Sequence, residues 1–350
     1  VTHLRVALVT PLTGSLAPFG QACATGLTLW AEHVAHLPAP WTGVELVVRD
    51  SGRDVAVSID AALHMQPDVL FGPYGSNTML AAARATKHVI WNHGGATSRL
   101  SRPAFPQVIN VLSPASTYFM EVLQAIRAFD AHATTVSLLH TTSGFGRDVA
   151  TGAISAASKL KFKLQSIPFE PHHATEAAPL VPHADILLVV GNFSDELAVA
   201  PILLTRTWRA AAFVGAGVEE VLAPLGNKRE GLLGPAQWLA SAVFEPDEGP
   251  DADWFVTHYR DVAGIDPSYP AAQAFAAGLL CARCLRDSGG SDDTAQLAAA
   301  NQLICTTLYG AFRLDPLTGL QAGHQIVVVQ WQDGVRRVVW PPEQAECPLL

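Results

Sequence analysis

The chain has 350 residues, 49% of them hydrophobic and 15% charged, and a formal net charge of −9 at pH 7. That length suggests two domains rather than one core, and the composition excludes a disordered chain. The acidic balance and the lack of any Lys/Arg cluster weigh against nucleic acid, and no apolar run approaches the ~20 residues that span a bilayer. Residues 4–10 (LRVALVT) form a first strand, 11–15 a turn and 21–35 a helix by its spacing of apolar positions. Residues 44–49 form a second strand, 55–65 a helix and 68–71 a short buried strand ending at Gly72-Pro73. Ser76 sits where an N-cap belongs, ahead of the helix-forming run 79–87. Residues 89–91 form a strand, Gly94-Gly95-Ala96-Thr97-Ser98 a second small-residue turn, and 108–112 a further strand. Ser113-Pro114-Ala115-Ser116 then caps a helix to about residue 128.

The alternation begins again with a strand at 135–140, a loop at 142–146 and a helix at 147–159. Strands follow at 164–169 and 186–190, then a loop at 191–193, a helix at 195–206 and a strand closing at 212–217. Residues 232–241 are strand-like and lead into the polar link 244–250. Helices are expected at 253–263, 271–286 and 295–307, and the chain ends in a hairpin of 325–331 and 335–340 about Asp333-Gly334. Repeated strand–helix units mean parallel strands with helical crossovers, so the fold class is α/β with two doubly wound parallel-sheet lobes.

Two successive strands, 68–71 and 89–91, end in loops of small residues with hydroxyls and backbone N–H groups. Ligands of open α/β sheets sit outside the carboxyl ends of strands, and helix N-termini favour negative charge, so a carboxylate is the natural guest. Catalytic signals are lacking: there is no Gly-x-Ser-x-Gly elbow, no phosphate loop with Lys, and no Gly-x-Gly-x-x-Gly after the first strand. Ser76 follows Gly75 after a strand, yet it has neither a second Gly nor a His placed to serve it. His172, His173 and His183 lack metal-ligand spacing, and neither a metal nor a cofactor is expected. Cys281 and Cys284 read as buried hydrophobes on a helix, and a disulfide involving Cys347 is left open.

In this order and spacing, Val9-Thr10-Pro11-Leu12-Thr13-Gly14, Phe19-Gly20, Asp50-Ser51, Gly72-Pro73-Tyr74-Gly75-Ser76, Gly95-Ala96-Thr97-Ser98, Gly144-Phe145-Gly146 and the Val329-Gln330-Trp331 hairpin are familiar. The chain resembles, over nearly its whole length, the leucine/isoleucine/valine-binding family of ABC-transporter solute-binding proteins, with the type I periplasmic binding protein fold. The resemblance implies two lobes joined by a three-stranded hinge, with crossings near 113–117, 242–246 and 317–323. Lobe 1 is then 1–115 plus 246–318, and lobe 2 is 116–245 plus 319–350.

In that family a Ser hydroxyl and a Gly/Ala-Thr loop hold the ligand carboxylate, which here implies Ser76, Gly95 and Thr97. The family's Tyr positions around the ligand fall on Phe19, Phe145, Phe193 and Phe275, giving a more apolar wall. Its ammonium-pairing Glu falls on Gly217, with Glu219 and Glu220 just beyond, so an ordinary α-amino acid is not expected as ligand unless Glu219 swings in to pair with its amine. Tyr118 and Trp238 would add a hydroxyl or stacking surface. Core packing is the alternative for these aromatics, an equal one for Tyr118 and Trp238, and a plain N-cap is the alternative for Ser76. The implied function is extracytoplasmic delivery of a small carboxylate or amide, with an apolar or aromatic body, to an ABC permease. A ligand-sensing domain of the same fold is the alternative. The implied protein is a monomer outside the cytoplasm, its leader removed, with or without a lipid anchor.

Overall fold

A computed structural model of the chain describes residues 2–33, 36–218, 221–242 and 244–350. The helix end expected at Ala35, the acids Glu219 and Glu220, and part of the crossing expected at 242–246 therefore lie outside the described residues. Two units emerge: Val1–Ser113 with Trp238–Gln325, and Pro114–Gln237 with Ile326–Leu350. The chain thus passes from one unit to the other three times, at 113/114, 237/238 and 325/326.

Unit 1 opens with β1 (Thr2–Thr10), α1 (Ala17–His33), β2 (Trp41–Asp50), α2 (Val55–Leu63), β3 (Val69–Phe71), α3 (Ser76–Ala85), β4 (Ile90–Asn92) and β5 (Val108–Asn110). Unit 2 follows with α4 (Tyr118–Phe129), β6 (Thr135–Thr141), α5 (Gly144–Lys159), β7 (Lys163–Phe169), α6 (Ala174–Ala177), β8 (Ile186–Val190), α7 (Phe193–Leu203), β9 (Ala210–Phe213) and β10 (Leu233–Ala236). Back in unit 1 come α8 (Ala252–Ala263), α9 (Tyr269–Ser288), α10 (Asp293–Gln302) and a small hairpin, β11 (Cys305–Thr307) with β12 (Gly310–Phe312). Unit 2 closes with β13 (Val327–Gln332) and β14 (Val335–Trp340).

The sheet of unit 1 runs β2-β1-β3-β4-β5, parallel throughout. In unit 2 the parallel strands run β7-β6-β8-β9-β10, the same doubly wound order, and β13 and β14 add antiparallel strands beside β10. Buried sheets of this kind need apolar residues on both faces. Accordingly every residue of β3 and β8 is buried. One face of the unit 1 sheet packs Val9, Leu70 and Ile90 against Ile59 of α2 and Met79 and Leu80 of α3. The final hairpin turns at Asp333 and Gly334, which take φ of 54° and 76° as a two-residue hairpin turn requires.

Several boundaries differ from the sequence expectation. Helices α1, α5 and α7 begin earlier, at Ala17, Gly144 and Phe193. The strand expected at 212–217 stops at Phe213 and gives way to a 3-10 turn, Val214–Gly217. The hairpin β11–β12 replaces the expected end of a helix at 307. All five cysteines are free thiols, so no disulfide involves Cys347.

Candidate functional site

The doubly wound order places the switch point of unit 1 between β1 and β3, where their following loops part to opposite faces. After β1 the chain reaches α1, and Phe19 is the third residue of that helix. Asp50, at the end of β2, braces this loop by accepting from the Leu12 amide at 2.9 Å and the Thr13 hydroxyl at 2.7 Å. Those bonds, the Thr13 hydroxyl first, hold the Asp50 carboxyl below its ordinary range. The Phe19 ring stacks on Tyr74 with centroids 5.0 Å apart and planes 8° apart. Tyr269, the first residue of α9, lies 6.5 Å from Phe19 and shares a hydroxyl–hydroxyl hydrogen bond with Tyr74.

Ser76 is the first residue of α3, and its N-cap is Gly75 at φ 99°, which makes no side-chain cap bond. The expectation that Ser76 is the N-cap is therefore corrected: the turn needs a left-handed residue one position earlier, and glycine supplies it. The Ser76 hydroxyl is released from capping. It stands at a helix N-terminus whose N–H groups attract negative charge.

The next loop is held from within. Asn92 accepts from the Gly95 amide at 2.8 Å and the Gly94 amide at 3.3 Å, and its own amide donates to the Gly95 carbonyl at 2.8 Å. Asn110 on β5 accepts from the same Asn92 amide at 2.8 Å. The Gly95 backbone, expected to face a carboxylate, is thus committed to Asn92. Glycine is required here because a Cβ would come 2.5 Å from that of Met79. Thr97 is buried, and its hydroxyl caps a 3-10 turn through the Arg99 amide at 3.3 Å. His93 lies fully buried between these residues, and desolvation pushes its pKa down to about 4, so the ring is neutral.

In unit 2, Phe145 is the second residue of α5, whose N-cap Ser143 accepts from the Gly146 amide at 3.1 Å. Tyr118 meets Phe145 edge to face, with centroids 5.9 Å apart. The Tyr118 hydroxyl accepts from Gln237 at 2.9 Å, and burial raises its pKa to about 12. Phe193 is the first residue of α7, whose start is fixed by a capping box between Asn192 and Asp195. Phe19, Phe145 and Phe193 are each partly exposed and each in the first turn of a helix that follows a parallel strand.

Gly217 ends the 3-10 turn after β9, and a Cβ there would lie 1.9 Å from the Pro235 carbonyl oxygen. No side chain fits at that position. Two other expected residues lie in packing. Phe275 is fully buried, 4.8 Å from Phe255 and 6.1 Å from Trp254. Trp238 packs edge to face on Phe255 at 5.9 Å and donates its indole N–H to the Leu308 carbonyl at 3.0 Å. Both therefore build the core of unit 1. Sequence reasoning passed over Tyr74, Tyr269 and Asn92. Tyr74 lay inside a quoted motif, whereas the partnership of Tyr74 with Tyr269 spans 195 positions and leaves no local signal.

A groove of about 450 Å³ lies elsewhere on unit 1, lined by residues such as Arg5, Asp68 and Val89 near the amino ends of β3 and β4. Its polar side chains pair with each other, Arg5 with Asp68 at 3.7 Å and the His88 ring with the Asp293 carboxyl at 3.1 Å. Among the described residues no cluster of His, Cys, Asp or Glu is placed to hold a metal ion, and no helix is long and apolar enough to cross a membrane.

Two doubly wound units linked by three passages of chain are the architecture of type I periplasmic binding proteins, and solved structures of that class superpose on this chain. A leucine-binding protein, LivK, from Thermotoga maritima gives a TM-score of 0.77 at 17% identity, over 96% of this chain and 97% of that one. A solute-binding protein from R. palustris in complex with 4-hydroxybenzoate gives 0.79 at 18%, over 96% and 95%. LivJ from Streptococcus pneumoniae, in complex with isoleucine, gives 0.78 at 15%, over 96% and 98%. The family model for periplasmic binding proteins matches residues 3–335, and the chain belongs to that family of non-enzymatic binding proteins.

Proposed function

We propose that the protein is the extracytoplasmic solute-binding component of an ABC transporter, and that its ligand is a small carboxylate or amide with an apolar or aromatic body and no free amine. The observation that carries this reading is Gly217. By the family resemblance an ammonium-pairing acid belongs there, and the Pro235 carbonyl leaves no room for any side chain. Burying an unpaired ammonium costs several kcal/mol, enough to remove useful affinity. Ser76 and the N-terminus of α3 are proposed to take the carboxylate. The Phe19–Tyr74–Tyr269 group in unit 1 and Phe145, Tyr118 and Phe193 in unit 2 are proposed to contact the apolar body.

The two ligand classes of similar folds, aromatic acids and branched-chain amino acids, frame the test. A thermal-shift screen of benzoate, 4-hydroxybenzoate, short amides, leucine and isoleucine separates them. A ligand at ~100 times its Kd adds about 2.7 kcal/mol of stability, a shift easily read. Acids or amides without an amine are expected to raise Tm and the amino acids to leave it unchanged. A shift with leucine or isoleucine alone overturns the ligand assignment.

A further inference from the structure

From the buried carboxyl at the start of α7, we infer that Glu196 is the positioning residue that ties together the two loops of unit 2 carrying Phe193 and Gly217. This rests on the proposed function for what those loops contact.

Glu196 is the fourth residue of α7 and is fully buried. One carboxyl oxygen accepts from the Gly191 amide at 3.3 Å, in the loop after β8. The other accepts from the Gly215 amide at 2.7 Å, in the turn after β9. Phe193 lies two residues beyond the first anchor, and Gly217 two beyond the second. A single side chain therefore spans the loop after β8 and the turn after β9.

The burial of Glu196 has no local explanation. Asn192 and Asp195 already complete the capping box of α7, so the helix start does not need a third acceptor. Solvent could hydrate the carboxyl at far lower cost, since an acid removed from water is destabilised unless it is hydrogen-bonded. Desolvation, with Asp195 beside it, raises its pKa to about 8. The approach is also built into the loop: a Cβ on Gly215 would stand 2.8 Å from the Glu196 oxygen. A costly buried group that joins two loops is what pre-organisation of a binding site requires.

The test uses the full chain and the variant Glu196→Gln, whose amide offers one acceptor oxygen and sets a donor against the second loop N–H. Amide exchange at Gly191 and Gly215 is read by NMR without ligand, and benzoate affinity is read by titration. The expected result is at least tenfold faster exchange at one or both glycines, with the interior amides of β8 unchanged, and at least tenfold weaker benzoate binding. Glu121→Gln, at a buried acid on α4 that accepts from Trp340, is the control and should leave benzoate affinity unchanged. If Glu196→Gln does not fold, Glu196→Asp is read by the same criteria. Unchanged exchange at both glycines overturns the inference, as does faster exchange with unchanged affinity. If the wild-type protein itself fails to bind benzoate, that failure falls on the ligand assignment, and exchange alone decides whether Glu196 holds the loops.

Discussion

Ser76 and Gly217 carry the ligand argument at the level of single residues, one by a hydroxyl set free and the other by a side chain that cannot exist. Because Gly75 rather than Ser76 occupies the cap position, Ser76→Ala removes the proposed ligand contact without removing a helix cap. A hydrogen bond to a charged group is worth about 1.5–3 kcal/mol, so this variant is expected to weaken carboxylate binding about 10- to 100-fold while moving Tm little. Calorimetric titration beside a melting curve checks both halves. The motif around Ser76 was legible because its glycines and hydroxyl are contiguous. The commitment of Gly95 to Asn92 was not, since nothing in a Gly-Gly pair says which neighbour its amide will meet.

At the level of elements, helix N-termini organise what is proposed to bind. Phe19, Phe145, Phe193 and Ser76 all fall in first turns after parallel strands, although the sequence placed Phe145 and Phe193 in loops and Phe19 ahead of its helix. Runs such as Gly144-Phe145-Gly146 have weak helix propensity, so the boundary is set by caps and by packing on the sheet rather than by the residues themselves. Phe275 shows the opposite failure. A lone Phe in an Ala-rich helix carries no mark to distinguish a wall from a core, and the clustering of Phe255 and Trp254 around it decides for the core. The two phenylalanines therefore separate by experiment. Phe275→Ala is expected to cost about 3–5 kcal/mol of stability through the cavity it leaves. Phe145→Ala, at a partly exposed ring, is expected to cost far less stability and to weaken ligand binding instead. Chemical denaturation and ligand titration of both variants measure the contrast.

For the whole molecule, the division into two doubly wound, mainly parallel sheets was the most legible feature, because alternating strand and helix patterns admit few right-handed arrangements. The small hairpin β11–β12 escaped, being three residues a side and beyond the reach of periodicity. Stability as a function of pH is also a whole-molecule property, set here by buried acids and bases that no pattern reveals. His93 is held at about 4 against an ordinary 6.5, so the unfolded chain binds the extra proton and stability falls as pH drops from 6.5 towards 4. His140, also lowered by burial, acts in the same direction. Glu196 is held at about 8 against an ordinary 4.5, so its contribution is fully present below 4.5 and is lost as pH rises to about 8. Between 4.5 and 6.5 His93 and Glu196 oppose each other, and from 6.5 to 8 Glu196 acts without that opposition. Stability is therefore expected to decline over that upper interval by up to about 1.4 kcal/mol per pH unit. Glu196→Gln should flatten the decline, which a series of melting curves from pH 6 to pH 8.5 reads directly.

The central claim concerns a pocket with a place for a carboxylate and none for an ammonium, and matched ligands differing only in the amine test it most directly. Calorimetric titration with 3-phenylpropanoate and phenylalanine, and with 4-methylpentanoate and leucine, compares each acid with its amino counterpart. The account predicts that in at least one pair the acid binds at least about 100-fold more tightly, a difference of about 2.7 kcal/mol, and that neither amino acid is preferred. Tighter binding of phenylalanine or leucine than of its deaminated partner would contradict it.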